Sequence, residues 1–511
     1  MGAAISELPS QLDMLIVGGG INGAGIARDA AGRGLSVALC EQNDFASATS
    51  SASTKLIHGG LRYLEHYEFR LVGEALAERE VLLKIAPHIA WPLRFVMPHA
   101  KGLRPGWMIR AGLLMYDRLG GKTTLPRSKG ISLLRTPYGA GLKTEFHKGY
   151  IYSDAWVDDA RLVLLNLRSA ADHGAIILPR MRFIGARRDG GLWHAELEDT
   201  GTQQRHTVRA RMLVNAAGPW VSQVAGTLGQ ARNKASVRLV KGSHIVVPKL
   251  YEGEHAYIVQ DSGKRIIFMI PYERDFTLIG TTDMMVDSIS EGGAISQQEL
   301  EYLCTQVSRY SARPVTPEQV IWSYSGIRPL YDDGTEDPSA VTRDYTLVLE
   351  DGDVNVPQLS VYGGKITTYR KLAEAALDKL APWMGSATGR WTGSEALPGG
   401  DLPPGGQAAF LPQLVQRYPG MPESLLTALM QRHGSIALAI LGDARTPADL
   451  GEHFGGSLYE REVGYLVDHE WAQEAGDILW RRTKAGLHMT PQQREHFARY
   501  LENSRATQSP A

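Results

Sequence analysis

"MLIVGGGINGAGIARDAAGRG", Met14 to Gly34, decides the fold. A short apolar run ends abruptly in glycines and is followed by a segment of helical composition, which predicts a strand, a tight turn and a helix. Gly18, Gly20 and Gly23 then occupy the G-x-G-x-x-G register of a dinucleotide-binding unit. One glycine makes the turn, one lets the backbone approach a pyrophosphate, and one allows close packing of helix on strand.

An acidic residue follows at the expected distance. A second strand-like run, Leu35 to Cys40, ends in Glu41, and a carboxylate about 20 positions after the glycines hydrogen-bonds the adenosine ribose hydroxyls in such units. The same carboxylate repels a 2′-phosphate, so NADP is not expected. FAD and NAD share this fingerprint, and the pattern alone does not separate them.

Two later junctions favour FAD. The run Arg211 to Val214 leads into NAAGPW, Asn215 to Trp220, and SVYGGKITT, Ser360 to Thr368, ends in glycines before the helix-like YRKLAEAALDKLA. Strand–glycine–helix junctions this far apart predict one cofactor domain assembled from distant segments, whereas an ordinary NAD domain is contiguous.

Composition sets the frame. A chain of 511 residues is too long for one ordinary core, which predicts about two or three domains. The apolar fraction is 43% and Lys plus Arg (54) almost balance Asp plus Glu (55), so we expect a soluble globular protein with no nucleic-acid partner. Cys40 and Cys304 lack metal-ligand spacing, so no metal site is expected, and a reducing compartment is the simplest interpretation. We see neither a secretory signal nor an apolar run long enough to span a membrane.

Several long stretches carry a family resemblance. They are GGGINGAGIARDAAGRG, SSASTKLIHGGLRYLEHYEFRLV (50–72), WVDDARLV (156–163), LVNAAGPW (213–220), VKGSHIVVP (240–248), IGTTD (279–283), YSGIRPL (324–330), TRDYTL (342–347) and YGGKITTYRKLAE (362–374). The chain resembles the FAD-dependent glycerol-3-phosphate dehydrogenase family, most closely the aerobic, homodimeric bacterial type, from about Leu12 to the C-terminal region. The resemblance implies an α/β fold with a Rossmann-like FAD-binding domain of the D-amino-acid-oxidase-like superfamily. It also implies an antiparallel β-rich substrate or cap domain and an α-helical C-terminal domain.

Changes in composition suggest where these domains lie. Short β-branched and aromatic runs fill the region from about Ser236 to Glu350, where RIIFMIPYERDFTLIGTT is typical of a hairpin and Ser296 to Glu299 form a capping box ahead of a helix. Prolines and glycines at 397–407 then separate a helix-rich end. We expect a discontinuous FAD-binding domain at 12–95, 150–235 and 340–390, a substrate or cap region at 96–149 and 236–339, and an α-helical domain at 398–511.

The expected chemistry requires local cations. Oxidation of a secondary alcohol by hydride transfer to flavin needs a positioned C2 hydrogen, an acceptor for the hydroxyl proton and a held phosphate, for which Arg offers a bidentate fork. The resemblance marks cations from four segments as substrate or site residues: Arg62, Arg328, Arg343 and Lys365. Tyr63 either offers a hydroxyl to the substrate or is a packed aromatic residue.

The proton acceptor and the cofactor contacts complete the predicted site. We favour His244 as the base because imidazole titrates near neutral pH, with Lys365 or a water held by Arg328 as rivals, so the predicted catalytic residues are His244, Arg328 and Lys365. The predicted cofactor residues are Gly18, Gly20, Gly23, Glu41, Ser53, Thr54, His58, Gly59, Gly218, Gly364 and Thr367.

Reduced flavin must pass its electrons on. The resemblance implies ubiquinone, a homodimer and a peripheral place on the cytoplasmic face of the inner membrane. Basic and apolar residues alternate from Lys101 to Lys129, which suits an interfacial segment, although a buried helix with a solvated basic face fits almost as well. The rival functions are an oxygen-using FAD oxidase and a non-catalytic flavin-binding protein.

Overall fold

A computed structural model describes residues 9–100, 104–228, 237–261, 265–332, 344–350 and 356–508, with the backbone alone at positions 62, 66 and 506–508. The strands are β1 (Leu12–Val17), β2 (Val37–Cys40), β3 (Leu56–Ile57), β4 (Ala90–Pro98), β5 (Lys129–Ser132), β6 (Lys148–Val157), β7 (Ile176–Leu178), β8 (Met181–Asp189), β9 (Leu192–Asp199), β10 (Arg205–Asn215), β11 (Val237–Pro248), β12 (Ala256–Gln260), β13 (Ile266–Tyr272), β14 (Phe276–Gly280), β15 (Met284–Val286), β16 (Trp322–Tyr331), β17 (Thr346–Glu350), β18 (Gln358–Tyr362), β19 (His453–Gly455) and β20 (Leu458–Tyr459).

The α-helices are α1 (Ile21–Gly32), α2 (Phe69–Ile85), α3 (Gly106–Leu119), α4 (Asp159–Asp172), α5 (Val221–Thr227), α6 (Gln297–Ser308), α7 (Tyr369–Leu380), α8 (Gln407–Arg417), α9 (Glu423–His433), α10 (Ala437–Leu441), α11 (Glu460–Glu470) and α12 (Pro491–Gln508). A π-helix covers Asp477–Arg482. Short 3-10 turns include Thr49–Ser51 and Leu61–His66.

The first sheet is a parallel core with antiparallel additions. Its order is β17-β18-β10-β1-β2-β7, in which the strands from β18 to β7 run parallel and β17 is antiparallel. β9 extends β10 and β8 extends β9, both antiparallel. Apolar residues of α1, α4 and α7 pack on one face of this sheet. Such helix-covered parallel strands read as continuous apolar runs, as β1 does.

The second sheet holds the predicted substrate region. Its order is β15-β11-β14-β13-β12-β4-β6-β3, with β16 paired along β11 and β5 along β6. All its pairs are antiparallel except β12 with β4. The predicted hairpin is confirmed as β13 and β14 around the turn Glu273 to Asp275, and the predicted capping box at Ser296 begins α6.

The sheets do not follow the predicted borders. The borders at 95/96 and 149/150 cut β4 and β6, and both whole strands belong to the second sheet. The physical reason is that a buried apolar strand fits either sheet, so composition does not assign it. The division into domains otherwise stays a prediction.

The C-terminal region is mainly helical, as the sequence suggested. Helices α8 to α12 form two apolar clusters, and β19 and β20 add a small antiparallel pair. In the part of the chain that the structure describes, we find no helix with the length and apolarity needed to cross a bilayer.

Candidate active site

The glycine turn between β1 and α1 has no room for a Cβ atom at Gly18 or Gly23. Gly18 has φ +112°, and an ideal Cβ there would lie 2.5 Å from the carbonyl oxygen of Ala216. An ideal Cβ on Gly23 would lie 2.0 Å from the Gly18 oxygen, so this glycine permits helix and turn to touch. α1 begins beyond Gly20 with no acidic residue in its first turn. The helix start therefore favours an anion.

A cavity of about 320 Å³ opens over this turn, within the size range of ligand clefts. Its wall includes five predicted or neighbouring glycines, Gly18, Gly20, Gly218, Gly363 and Gly364. Glu41 is also on the wall, and its carboxylate accepts the amides of Gly19 at 2.8 Å and Asn43 at 2.9 Å. Burial raises the pKa of Glu41.

The other predicted cofactor residues lie beyond that wall. The Ser53 hydroxyl donates to Asp159 Oδ2 at 2.7 Å, and Thr54 Oγ1 lies 2.9 Å from His244 Nε2. The amide of His58 donates to Thr367 Oγ1 at 3.4 Å. The amide of Gly59 donates to the hydroxyl of Tyr116 in α3 at 2.8 Å. Their roles toward the cofactor stay predictions.

The predicted base and a predicted cation share one face of the second sheet. In the antiparallel pair β11–β16, His244 stands opposite Tyr324, Gly242 opposite Gly326, and Val240 opposite Arg328. Because side chains alternate along a strand, these positions all point the same way. Side chains cover both glycines: an ideal Cβ on Gly242 would lie 2.3 Å from Arg328 Nη2, and one on Gly326 would lie 2.7 Å from Ala52 Cβ.

His244 is enclosed by its neighbours. The imidazole stacks on the Tyr324 ring with centroids 4.8 Å apart, and an ideal Cβ on Gly280 would lie 2.0 Å from its Cδ2. The residue is 2% exposed. Burial, and then the positive charges of Arg328 and Lys55, hold the pKa of His244 well below its usual range. The imidazole is therefore neutral at neutral pH, as a proton acceptor must be.

Arg328 is held from one side. Its Nη1 pairs with Asp283, and its Nη2 donates to Thr281 Oγ1 at 3.2 Å and to the Thr282 carbonyl at 3.4 Å. The absent side chain at Gly242 makes room for Nη2, since an ideal Cβ there would lie 2.3 Å from it. The side chain still keeps 31% of its exposure, so part of the guanidinium faces open space.

Of the remaining predicted cations, the structure describes the side chain of Lys365 but not those of Arg62 and Arg343. Lys365 Nζ lies 3.9 Å from the centroid of the Tyr63 ring, so those two residues meet in a cation–π contact. The side chain of Arg62 and the whole of Arg343 lie outside the described residues. Tyr63 belongs to the 3-10 turn Leu61–His66, which lies against α3.

Sequence reasoning missed the residues that support this face. Lys55, fully buried, pairs with Asp159 at 2.6 Å, and Asp159 also accepts the amide of Ser53 at 3.1 Å. Tyr324 and Asp283 hold His244 and Arg328 as described above. All four residues lie in stretches that carried the resemblance, which was the signal available for them: SSASTKLIHGGLRYLEHYEFRLV for Lys55, WVDDARLV for Asp159, IGTTD for Asp283 and YSGIRPL for Tyr324.

The C-terminal region clamps a wall segment of the cavity. Asp44, between the wall residues Asn43 and Ala46, receives Arg482 in a bidentate pair with one bond of 2.8 Å, and Arg481 Nε donates to it at 2.5 Å. Both arginines belong to the π-helix. Arg482 and Asp44 are buried, so the pair is well protected from solvent.

The residues present fit a dinucleotide cofactor. Glycines that would clash if they carried a Cβ, the helix start and Glu41 all border one cavity, and the buried Asn22 Oδ1 at its edge has no hydrogen-bond partner among the described residues. Backbone groups and glycines are what a pyrophosphate and a flat ring system require at close range.

Two family models match the chain. Residues 13–370 match "FAD dependent oxidoreductase" and residues 391–502 match "C-terminal domain of alpha-glycerophosphate oxidase".

Among curated relatives, a glycerol-3-phosphate dehydrogenase of Pseudomonas aeruginosa is 52% identical over 98% of this chain and 96% of its own length. A D-erythritol 1-phosphate dehydrogenase of Brucella abortus is 49% identical over 97% and 99%.

A solved structure agrees with them. The glycerol-3-phosphate dehydrogenase from Bacillus halodurans complexed with FAD superposes with a TM-score of 0.76 at 27% identity, covering 98% of this chain and 96% of that one. The predicted fold class, enzyme class and FAD cofactor are confirmed. The chain is an enzyme that belongs to the FAD-dependent glycerol-3-phosphate dehydrogenase family.

Proposed function

We propose that this enzyme oxidises sn-glycerol 3-phosphate to dihydroxyacetone phosphate, with FAD as the hydride acceptor and ubiquinone as the final electron acceptor. The P. aeruginosa relative is named a glycerol-3-phosphate dehydrogenase, which supports this substrate. The geometry supports a reaction in which an anionic alcohol meets a neutral base beside the cofactor cavity.

One observation carries the proposal. Pro329 and Gly364 both belong to the wall of the cofactor cavity, and they are the chain neighbours of Arg328 and Lys365. The backbone of β16 at Pro329 and the turn after β18 meet at this cavity, which supports a place for the two cations near it. His244 shares the sheet face of Arg328.

These cations suit the phosphate of the substrate. A phosphate monoester carries close to two negative charges at neutral pH, and charge-assisted bonds from Arg or Lys are about twice as strong as neutral ones. Arg328 is held in one orientation by Asp283 and Thr281, so little freedom is lost when it meets an anion. Lys365, resting on the Tyr63 ring, adds a second positive charge.

The hydroxyl proton is taken up on the protein. His244 is neutral because burial and neighbouring cations lower its pKa, so its imidazole accepts the proton as C2 is oxidised. The glycine turn, the α1 start and Glu41 would hold FAD, which would supply a two-electron acceptor for the hydride of C2.

Anaerobic mixing tests the proposal. Purified holoenzyme and sn-glycerol 3-phosphate should bleach the oxidised flavin absorbance within seconds, and a ubiquinone analogue should restore it. Glycerol at the same concentration should bleach the flavin poorly, since it lacks the phosphate that the cations hold. An enzyme whose flavin stays oxidised with sn-glycerol 3-phosphate would end the proposal and favour a non-catalytic flavin-binding protein.

A second substrate has a specific observation behind it. The B. abortus relative, named for D-erythritol 1-phosphate, is almost as similar as the P. aeruginosa one. Both compounds are polyol phosphates, so the same cations serve either. Flavin reduction rates with the two substrates, measured side by side, decide between them, and we expect sn-glycerol 3-phosphate to be the faster.

The surface of α3 supports a peripheral place on a membrane. Trp107 is 72% exposed, and Met108, Leu114 and Met115 are also exposed. The interpretation of a buried helix with a solvated basic face therefore loses support, since only Leu113 and Tyr116 are buried on this helix. Exposed aromatic and apolar residues among arginines suit an interface with anionic headgroups.

The electron acceptor separates this function from its rival. An oxygen-using oxidase would reoxidise its flavin rapidly in air and release peroxide. We expect slow reoxidation by oxygen and fast reoxidation by the quinone analogue. The homodimer and the cytoplasmic face of the inner membrane remain proposals, and mass photometry with and without lipid tests the first.

A further inference from the structure

Only one of the two ring nitrogens of His244 has a hydrogen-bond partner among the described residues. Its Nδ1 is buried and has no hydrogen-bond partner among the described residues, while its Nε2 lies 2.9 Å from Thr54 Oγ1. A general base must stand within hydrogen-bond reach of the proton it takes, or be linked to it by one bridging group. The Thr54 hydroxyl is the bridging group that the geometry offers.

Thr54 lies between two residues, Ser53 and Lys55, that are both bonded to other parts of the fold. Its neighbours Ser53 and Lys55 are both bonded to Asp159, through the Ser53 hydroxyl at 2.7 Å and the Lys55 ammonium at 2.6 Å. The Tyr324 hydroxyl donates to the Ser53 carbonyl at 2.9 Å. Thr54 itself is partly buried, whereas His244 is almost fully buried. Thr54 is thus the more accessible residue of the pair.

We propose that Thr54 is a catalytic proton relay between the substrate hydroxyl and His244 Nε2, an inference that rests on the proposed function. The O–H bond at C2 breaks and its proton bonds to Thr54 Oγ1, while the proton that Thr54 carried bonds to Nε2. C2 loses its hydride to the cofactor and becomes a carbonyl carbon. The substrate loses one proton and one hydride, and the proton ends on His244.

The surrounding charges keep the imidazole neutral before the transfer, and the same charges oppose its protonation. Arg328 on β16 and Lys55 beside Thr54 are the cations that act on the imidazole, and they favour its neutral form at the start. Asp159 pairs with Lys55 and so offsets part of that charge. Tyr324, which stacks on the ring, has a pKa raised by burial and stays neutral.

Two substitutions at one position test the relay. Thr54→Val removes the hydroxyl at nearly constant volume, and Thr54→Ser keeps it. With saturating sn-glycerol 3-phosphate, we expect Thr54→Val to slow anaerobic flavin reduction by about 100-fold, the lower end of general acid–base effects, and Thr54→Ser to recover most of the rate. Affinity for FAD, measured by fluorescence on the apoprotein, should stay within about twofold for both, since only a relayed proton is lost.

Three further readouts separate a relay from a packing role. The solvent isotope effect of the wild type should give a curved proton inventory, because two protons move together. The ¹⁵N resonance of His244 Nε2 should shift in Thr54→Val. The double variant Thr54→Val/His244→Gln should be no slower than His244→Gln, because residues acting as one unit are not additive.

Each contrary outcome has a distinct meaning. Thr54→Val at the wild-type rate, additive losses in the double variant, or a loss confined to FAD affinity would each overturn the relay while the proposed function stands. A wild-type flavin that sn-glycerol 3-phosphate does not reduce would overturn both.

Discussion

The two sheets build their proposed ligand sites by different means. At the first sheet, the cofactor cavity is bordered by glycines and main-chain amides, and it is the absence of side chains that makes room. At the second sheet, side chains define the site: His244, Tyr324 and Arg328 share one face, and His244 and Arg328 are the groups proposed to act on the substrate. Substitutions at the first sheet should therefore remove the cofactor, and those at the second should slow the reaction while the cofactor stays.

The largest effect is expected at the glycine turn. Gly23→Ala places a methyl group 2.0 Å from the Gly18 oxygen, so helix and turn must separate. A misfit of about 3 kcal/mol lowers FAD affinity more than about 100-fold. Fluorescence titration of the apoprotein measures this. Gly464→Ala in α11, where an ideal Cβ meets no atom within 4 Å, is the matched control. Equal FAD affinity in the two variants would break the comparison.

The second effect belongs to the other sheet. Arg328→Met removes the cation held by Asp283 and Thr281, and we expect kcat/KM to fall about 50-fold, which is the cost of about one charge-assisted bond. FAD affinity should be unchanged. Arg309→Met, at an exposed cation just after α6, controls for the general loss of charge. A variant that lost its FAD would contradict the separation of roles.

Glu299, on α6, bonds to residues of the second sheet and of the segment after β14. This buried carboxylate accepts bonds from Lys241, Ser243 and Thr282, at 2.9, 2.7 and 2.7 Å. Glu299→Gln should lower the free energy of unfolding by about 2 kcal/mol at pH 7, as expected when bonds to a charged group are weakened.

The same carboxylate gives a pH test. Backbone and side-chain hydrogen bonds outweigh burial and lower the pKa of Glu299 to about 2. Because this pKa is depressed, the stabilisation is complete above about pH 4.5 and is lost as the pH falls toward 2. Urea unfolding at several pH values should show the wild type approaching Glu299→Gln in acid. A difference that grew in acid would contradict the assignment.

A smaller effect is expected outside both sheets, on α3. Trp107→Glu exchanges an exposed aromatic residue for a charge, and we expect binding to vesicles containing anionic phospholipid to weaken about 10-fold. Flotation with the vesicles measures this, and flavin reduction by the substrate should be unaffected. Leu134→Glu, at another exposed apolar residue outside α3, is the control. Equal losses in both variants would remove α3 from the proposed membrane contact.

The smallest effect is the one that acid has on kcat/KM of the wild type. Because burial, Arg328 and Lys55 lower the pKa of His244 well below its usual range, the imidazole stays neutral as the pH falls through 6.5. The kcat/KM of the wild type should then change less than about twofold between pH 8 and 6.5. A steep acid limb in that range would mean that another group is the base.

The sequence predicted best what depends on neighbours in the chain. The turn at Gly18 and Gly23, the hairpin and the capping box at Ser296 are local, so their spacing was sufficient. The bond between Thr54 and His244 joins positions 190 residues apart, and no pattern in the sequence connects them. The expectation that Thr54 serves the cofactor stays a prediction, and the fold adds the contact of its hydroxyl with His244.

The burial of individual segments was the second property that the sequence did not predict. The composition of α3 suited both a buried and an interfacial helix, and only the fold shows Trp107 and Met115 at the surface. For the same reason, the predicted borders at 95/96 and 149/150 cut through β4 and β6. Apolar residues report that a segment is covered, but they do not report by which neighbour.

The clamp on Asp44 has a consequence for the order of synthesis. Its partner Arg482 lies 438 residues later, so nearly the whole polypeptide must leave the ribosome before this cavity segment is fixed. We therefore expect loading of the prosthetic group to be a late event. Chains made from messenger RNA that is truncated before the Arg482 codon should lack the yellow colour of bound flavin.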